Sequence, residues 1–213
     1  YDELFAEKLD LFTRLNGEQP VSWSGRTRAP LERQAVYPTV EGGRIRAWIG
    51  VGGSRESIIR AARYRLPLML AIIGGASVRF APFVHLYQRV REETEGPVLP
   101  VGVHSPGHIA DTDEEALTEL EPHWMAMRNR IGAERGWGPA SPAEYRQGAG
   151  PDGALYVGSP ETVARKIAAT VEALGLSRFD LKYSAGTLPH EAMMRSIELY
   201  GTKVIPMVRD LLA

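Results

Sequence analysis

The sequence predicts an α/β fold built on a parallel sheet, in the manner of a β/α barrel. Three observations carry this. Strand-like and helix-like patterns alternate along most of the chain. The segment Leu68-Met69-Leu70-Ala71-Ile72-Ile73 is apolar at every position, as in a parallel strand buried on both faces. Four polar or glycine-rich loops each follow a strand: Gly52-Gly53-Ser54, Gly74-Gly75-Ala76-Ser77, His104-Ser105-Pro106-Gly107-His108 and Ala185-Gly186-Thr187. In parallel α/β folds, binding and reacting groups collect where strands end and helices begin.

Taken in order, Tyr1–Leu15 reads as a helix, with Leu4, Phe5, Leu9, Phe12 and Leu15 near the 3.6-residue period. No cap precedes it, so the chain reads as one cut inside a domain, and Asn16-Gly17 ends the helix. Residues 17–45 form an irregular excursion punctuated by Pro20, Gly25, Pro30, Pro38, Gly42 and Gly43, with short strands at Val21–Trp23 and Ala35–Tyr37. Strand–helix units follow: Arg46–Gly52 into Arg55–Tyr64, Pro67–Ile73 into Arg79–Glu95, and Val98–Val103 into Asp113–Ile131. A Gly/Pro-rich loop over 136–153 leads to a strand at Leu155–Val157 and a helix over Pro160–Leu174. The strand Arg178–Ser184 and a helix over His190–Leu211 close the chain. Thr112-Asp113-Glu114-Glu115 fits a capping box, Ser159-Pro160-Glu161 fits an N-cap followed by proline, and Pro122 is expected to kink or break its helix. The whole of 1–213 is read as a single domain.

Bulk properties narrow the function. A formal net charge of -1 leaves no basic footprint for nucleic acid. No apolar run approaches the ~20 residues that span a bilayer, and no signal peptide is evident. The absence of cysteine excludes disulfides, thiolate metal sites and a cysteine nucleophile. A cytoplasmic setting is therefore expected. Neither a Gly-x-Ser-x-Gly elbow nor a His-Glu-x-x-His motif is present, which argues against a hydrolase.

Two glycine loops are candidate binding elements. Gly52-Gly53-Ser54 joins an apolar strand to a helix start, where backbone N–H groups and the helix dipole favour a phosphate. The competing reading gives the glycines the turn and Ser54 the helix cap alone. Ile73, Gly74 and Gly75 admit a flat ring close to the backbone, against a plain tight turn. His104 and His108 form the sharpest polar pair, suited to polarising a carbonyl or moving protons near neutral pH. Loop packing competes with that reading, and no metal is expected. Lys182 alternates onto the same strand face as Asp180, its nearest candidate partner. The run Asp111–Glu121 reads as a solvated acidic helix face.

Several segments together resemble the bacterial luciferase-like flavin monooxygenases. They are Trp48–Ser54, Leu66–Gly75, Tyr156–Ala164 (Tyr-Val-Gly-Ser-Pro-Glu-Thr-Val-Ala) and Ser196–Gly201 continuing to Val204-Ile205-Pro206. The resemblance implies a TIM (β/α)8-type barrel, of which this chain supplies the C-terminal half, strands five to eight with their helices. It implies reduced FMN as cofactor, with the deazaflavin F420 as the alternative. Gly52, Gly53 and Ser54 then hold the flavin phosphate, and Ile73, Gly74 and Gly75 line the ring pocket. His104 or His108 serves the substrate or the oxygen chemistry. Further implied are O2, a small organic substrate, a separate flavin reductase as electron donor and a homodimer. A half barrel exposes two strand edges, so pairing with a second copy or a missing fragment is expected. The alternative is a non-catalytic flavin-binding or assembly subunit.

Overall fold

The computed structural model describes residues 2–17 and 19–213. Tyr1, expected in the first helix, lies outside the described residues. The chain forms two compact units, Tyr1–Ala47 and Trp48–Ala213.

In the smaller unit, helix α1 (Asp2–Leu15) is followed by an antiparallel hairpin of β1 (Val21–Trp23) and β2 (Leu31–Gln34). The second strand thus lies earlier than the expected Ala35–Tyr37. The reason is apolar: Leu31 joins Leu11, Leu15, Val21 and Trp23 in a small core. Carboxylates on α1 organise the connections. Glu7 accepts from the Arg26 N–H, the Thr27 N–H and the Thr27 hydroxyl at 2.7–2.9 Å, and Asp10 accepts from Trp23 Nε1 at 2.8 Å. The Asn16 side chain bonds both the N–H and the carbonyl of Ile45. The irregular excursion is therefore tied down at several points.

The larger unit is a five-stranded parallel sheet with helices between the strands. Its elements are β3 (Ile49–Val51), α2 (Arg55–Arg63), β4 (Leu68–Ala71), a 3-10 turn over Ser77–Phe80 leading into α3 (Ala81–Glu93), and β5 (Val101–Ile109). Then come α4 (Asp113–Arg135), α5 (Pro142–Ala149), β6 (Tyr156–Gly158), α6 (Pro160–Leu174) and β7 (Arg178–Lys182). The final helical stretch is α7 (His190–Leu199), a π-turn over Tyr200–Val204 and α8 (Ile205–Leu211). That π-turn precedes Pro206, whose ring nitrogen has no hydrogen to donate to the preceding turn. The expected single helix is therefore interrupted. Helix α4, by contrast, runs on through Pro122 without a break. The stretch 136–153 holds α5, capped by Ser141 with Pro142 in its first turn.

Strand β5 is the hub. Its residues 101–104 pair with β4, 102–106 with β7 and 107–109 with β6, all parallel. The expected strand ended at Val103, before a His-Ser-Pro-Gly-His loop. In the structure the strand continues through that motif. Pro106 falls between the last residue paired with β4 and the first paired with β6, a position where a missing N–H is tolerated.

Register and alternation define two faces. Ile49, Val51, Leu68, Leu70, Val101, Val103 and Ser105 are buried, on the face against which α2 and α6 pack, with α3 packed on both helices. The opposite face carries the row Gly50–Met69–Gly102–Arg178, then Ala71–His104–Asp180, then Pro106–Lys182. Apart from Gly102, these residues are half-buried or exposed. A further core, under α4, gathers Ala116, Leu120, Tyr145, Leu155, Val157 and Leu188.

Local caps follow the sequence closely. Ser54, Thr112, Ser141 and Ser159 each accept a hydrogen bond from the N–H three residues on. Helices α4 and α6 end in left-handed glycines, Gly136 and Gly175.

Candidate active site

The C-terminal ends of adjacent parallel strands place the two glycine loops side by side. Val51 of β3 is in register with Leu70 of β4, so Gly52-Gly53-Ser54 and Ile73-Gly74-Gly75 leave the same edge of the sheet. A Cβ added at Gly50, Gly52, Gly53 or Gly74 would meet nothing within 4 Å. These backbones face open space. Gly53 (φ +135°) and Gly75 (φ +76°) also adopt conformations that side chains disfavour. Ile73 is 63% exposed, an apolar side chain left bare beside the loop.

Ser54 is the N-cap of α2. Its hydroxyl accepts from Ser57 N–H at 3.2 Å and donates to Glu56 Oε2 at 3.0 Å. The Glu56 carboxyl is held below its ordinary pKa, first by its own backbone N–H and then by Ser54. That depression is the signature of a helix start that attracts negative charge.

His104 and His108 lie on β5 rather than in a loop, which corrects their expected setting. Four residues apart on a strand, they stand about 13 Å from each other along the chain. They do not form a pair. His104 is half-buried on the uncovered face, level with Asp180 of β7. His108 is fully buried, and its Nε2 meets Glu119 Oε2 of α4 at 2.7 Å, while its Nδ1 has no partner. Asp180 is engaged by Arg178, Nε to Oδ1 at 2.7 Å, and not by Lys182. Arg178 in turn lies 5.4 Å from the centre of the Trp48 ring, within cation–π range.

Helix α4 supplies residues that the sequence reading passed over. Glu119, His123 and Met127 recur every fourth residue and so share one stripe. Glu119 holds His108, His123 Nδ1 meets Thr187 Oγ1 at 2.9 Å, and Met127 Sδ lies 3.9 Å from Lys182 Nζ. The stripe thus lines the C-terminal ends of β5 and β7. The run Asp111–Glu121 begins with the exposed acids expected of a solvated face, Asp111 and Asp113 to Glu115, and two of them also bond across the fold. Asp111 pairs with Arg195, and Asp113 accepts from Ser159 N–H and Thr162 Oγ1, joining the starts of α4 and α6. An i, i+4 recurrence of functional side chains was the available signal. Among the described residues no cluster of three or more His, Asp or Glu side chains is placed to hold a metal. Nor is any helix long and apolar enough to cross a membrane.

An α/β sheet of parallel strands with glycine loops at their C-terminal ends defines the class of fold as barrel-type α/β. The sequence profile of the luciferase-like monooxygenases matches residues 1–178, and the chain belongs to that family. Solved structures agree on the fold. A monooxygenase, RslO1, from Streptomyces bottropensis superposes with a TM-score of 0.77 at 20% identity, covering 95% of this chain and 60% of that one. The oxygenating constituent of 3,6-diketocamphane monooxygenase from Pseudomonas putida, a type II Baeyer–Villiger enzyme solved with FMN, gives 0.67 at 18% identity, covering 96% and 63%. A coenzyme F420-dependent tetrahydromethanopterin reductase from Methanopyrus kandleri gives 0.59 at 16% identity, covering 94% and 63%. The chain thus spans less than two thirds of the length of these structures. Among curated proteins, none matches the sequence.

Proposed function

We propose that the protein is a flavin-dependent monooxygenase that uses reduced flavin and O2 to oxygenate a small organic substrate. The observation that carries this reading is the pair of open glycine loops side by side at the ends of β3 and β4, in a chain of the luciferase-like family. The residues present fit a flavin. Gly52 and Gly53 leave backbone exposed, and Ser54 caps a nine-residue helix whose first turn presents N–H donors. Glu56, which now answers those donors, is fully exposed and can turn away when a phosphate arrives. Ile73, Gly74 and Gly75 offer a bare apolar edge on which a flat ring can lie.

When bound, the flavin supplies the electrons that activate O2; the protein holds it, orients the substrate and keeps water out. On the uncovered face His104 is the group placed to hold or move a proton for the substrate. His108 is enclosed further along the strand, fixed by Glu119. FMN is the proposed cofactor, in keeping with the FMN-bound relative, and F420 is the alternative that other structural relatives use. A separate flavin reductase as electron donor, a homodimer and a cytoplasmic setting complete the proposal.

The test is a fluorescence titration with FMN, riboflavin and F420. Saturable quenching by FMN at micromolar concentration, weaker for riboflavin, is expected. Ser54→Glu should remove the preference for FMN over riboflavin, because a second carboxylate then faces the phosphate. Equal binding of FMN by wild type and Ser54→Glu would overturn the assignment of the phosphate loop.

A further inference from the structure

Lys182 is a cation without an anion. It stands at the C-terminal end of β7 on the uncovered face, level with Pro106 and half-buried. Its ammonium donates to the Ser184 carbonyl at 2.6 Å and faces the Met127 thioether at 3.9 Å. Among the described residues it forms no ion pair. Asp180, on the same strand face, and Glu119, on the same α4 stripe as Met127, are engaged elsewhere: Asp180 by Arg178 at 2.7 Å, and Glu119 by His108 at 2.7 Å. Taking an ammonium out of water without a counter-charge is costly, and burial accordingly pulls the Lys182 pKa down. One helical turn before Met127, about 6 Å along α4, His123 meets Thr187 from the loop that follows β7. Successive turns of α4 therefore meet the Lys182 ammonium and carry the His123–Thr187 pair beside the end of β7.

We propose that Lys182, with His123 and Thr187, forms a subsite for the carboxylate of an organic substrate. The proposal rests on the reading of the protein as an oxygenase of small organic molecules, and it names a class among them. One fixed positive charge flanked by neutral donors matches a monoanion. The doubly charged phosphate of a flavin is matched instead by the start of α2, on the other side of the sheet's C-terminal edge. Met127 gives the subsite an apolar neighbour for the carbon chain of the acid.

The experiment is a calorimetric titration of the flavin-free protein with hexanoate and with 1-hexanol, and separately with FMN. It compares wild type, Lys182→Met and Lys182→Arg. Hexanoate should bind wild type at least about tenfold more tightly than hexanol, a difference of ~1.4 kcal/mol. Lys182→Met should bind the two alike, and Lys182→Arg should keep most of the preference. FMN affinity should stay within about twofold of wild type in both variants. If Lys182→Met fails to fold, Thr187→Ala serves in its place and should weaken hexanoate alone.

Equal binding of acid and alcohol by wild type would overturn the subsite, as would an undiminished preference in Lys182→Met. Displacement of bound hexanoate by FMN or by inorganic phosphate would assign the cation to the cofactor and also overturn it. Loss of FMN binding with the hexanoate preference intact would count against the oxygenase reading and leave the subsite standing.

Discussion

Glu119 of α4 meets the fully buried His108 imidazole of β5 at 2.7 Å, Oε2 to Nε2. An ionised carboxylate only accepts, so Nε2–H is the donor, and Nδ1 is left without a partner. Helix α4 is thereby pinned to the middle of the sheet through a polar contact.

Glu119→Ala should therefore cost about 1–3 kcal/mol, because it strands a second buried nitrogen. For a chain of this size each kcal/mol lowers Tm by about 2–4 °C. Glu119→Gln, which can still accept at Nε2–H, should lose less than half as much. Thermal denaturation of the two variants against wild type checks this, and an unchanged Tm in Glu119→Ala would show that the contact does not support the fold.

Glycines divide into those needed by the fold and those available to function. A Cβ at Gly107 would overlap the Tyr156 carbonyl and Leu181 Cδ1, whereas one at Gly52 meets nothing. Gly107→Ala should destabilise by about 1–3 kcal/mol, and Gly52→Ala should leave the urea midpoint within error. Under the flavin reading Gly52→Ala should nonetheless weaken FMN several-fold. A Gly52→Ala protein with normal stability and normal FMN affinity would remove that glycine from the site.

Acid should loosen the junction of α4 and α6. The Ser159 N–H, and after it the Thr162 hydroxyl, hold the Asp113 carboxyl below its ordinary pKa. A depressed folded value means that the contribution is present above the unfolded pKa and is lost as pH falls through the folded one. Asp113 is mostly open to solvent, so the contribution should be below about 1 kcal/mol. Urea midpoints at pH 7 and pH 3 should converge in Asp113→Asn relative to wild type; parallel pH profiles would refute the assignment.

Lys166 predicts the opposite limb. Burial pulls its amine down to about 8, though it donates to the Gly150 carbonyl at 2.5 Å and the Leu155 carbonyl at 2.7 Å. Between about pH 8 and 10 the unfolded chain holds more protons at this group than the folded one, so stability should rise with pH there. Lys166→Met should flatten that rise. Chemical denaturation at pH 8 and pH 10 gives the readout, and a slope unaffected by the substitution would mean that the ammonium stays charged in place.

The parts of this protein that can be read from its sequence are those fixed by neighbours in the chain. Ser54, Thr112 and Ser159 cap helices because a hydroxyl needs only the N–H three residues away. Leu68–Ala71 is a strand because every residue is apolar. The extension of β5 could not be read this way, since His-Ser-Pro-Gly-His has the composition of a turn. It is held as strand by β6 and β7, whose partners lie about 50 and 76 residues further on. Glu119 and His123 were hidden because their partners, His108 at 11 residues and Thr187 at 64, belong to other elements. The Asp180–Lys182 pairing failed for a different reason: Arg178, also two residues from Asp180 on the same face, has the longer reach and the planar donors.

The three-way pairing of β5 also has a bearing on synthesis. Its residues emerge from the ribosome well before β7, and at about 5–20 residues per second the interval from Ile109 to Lys182 lasts roughly 4–15 s. Throughout that time one edge of the sheet's most shared strand lacks its final neighbour. The nascent chain therefore passes through a window in which a parallel strand edge, Gly102 to Pro106, is open to wrong partners. Chaperone demand in the cell should be set by that delay more than by the stability of the finished sheet.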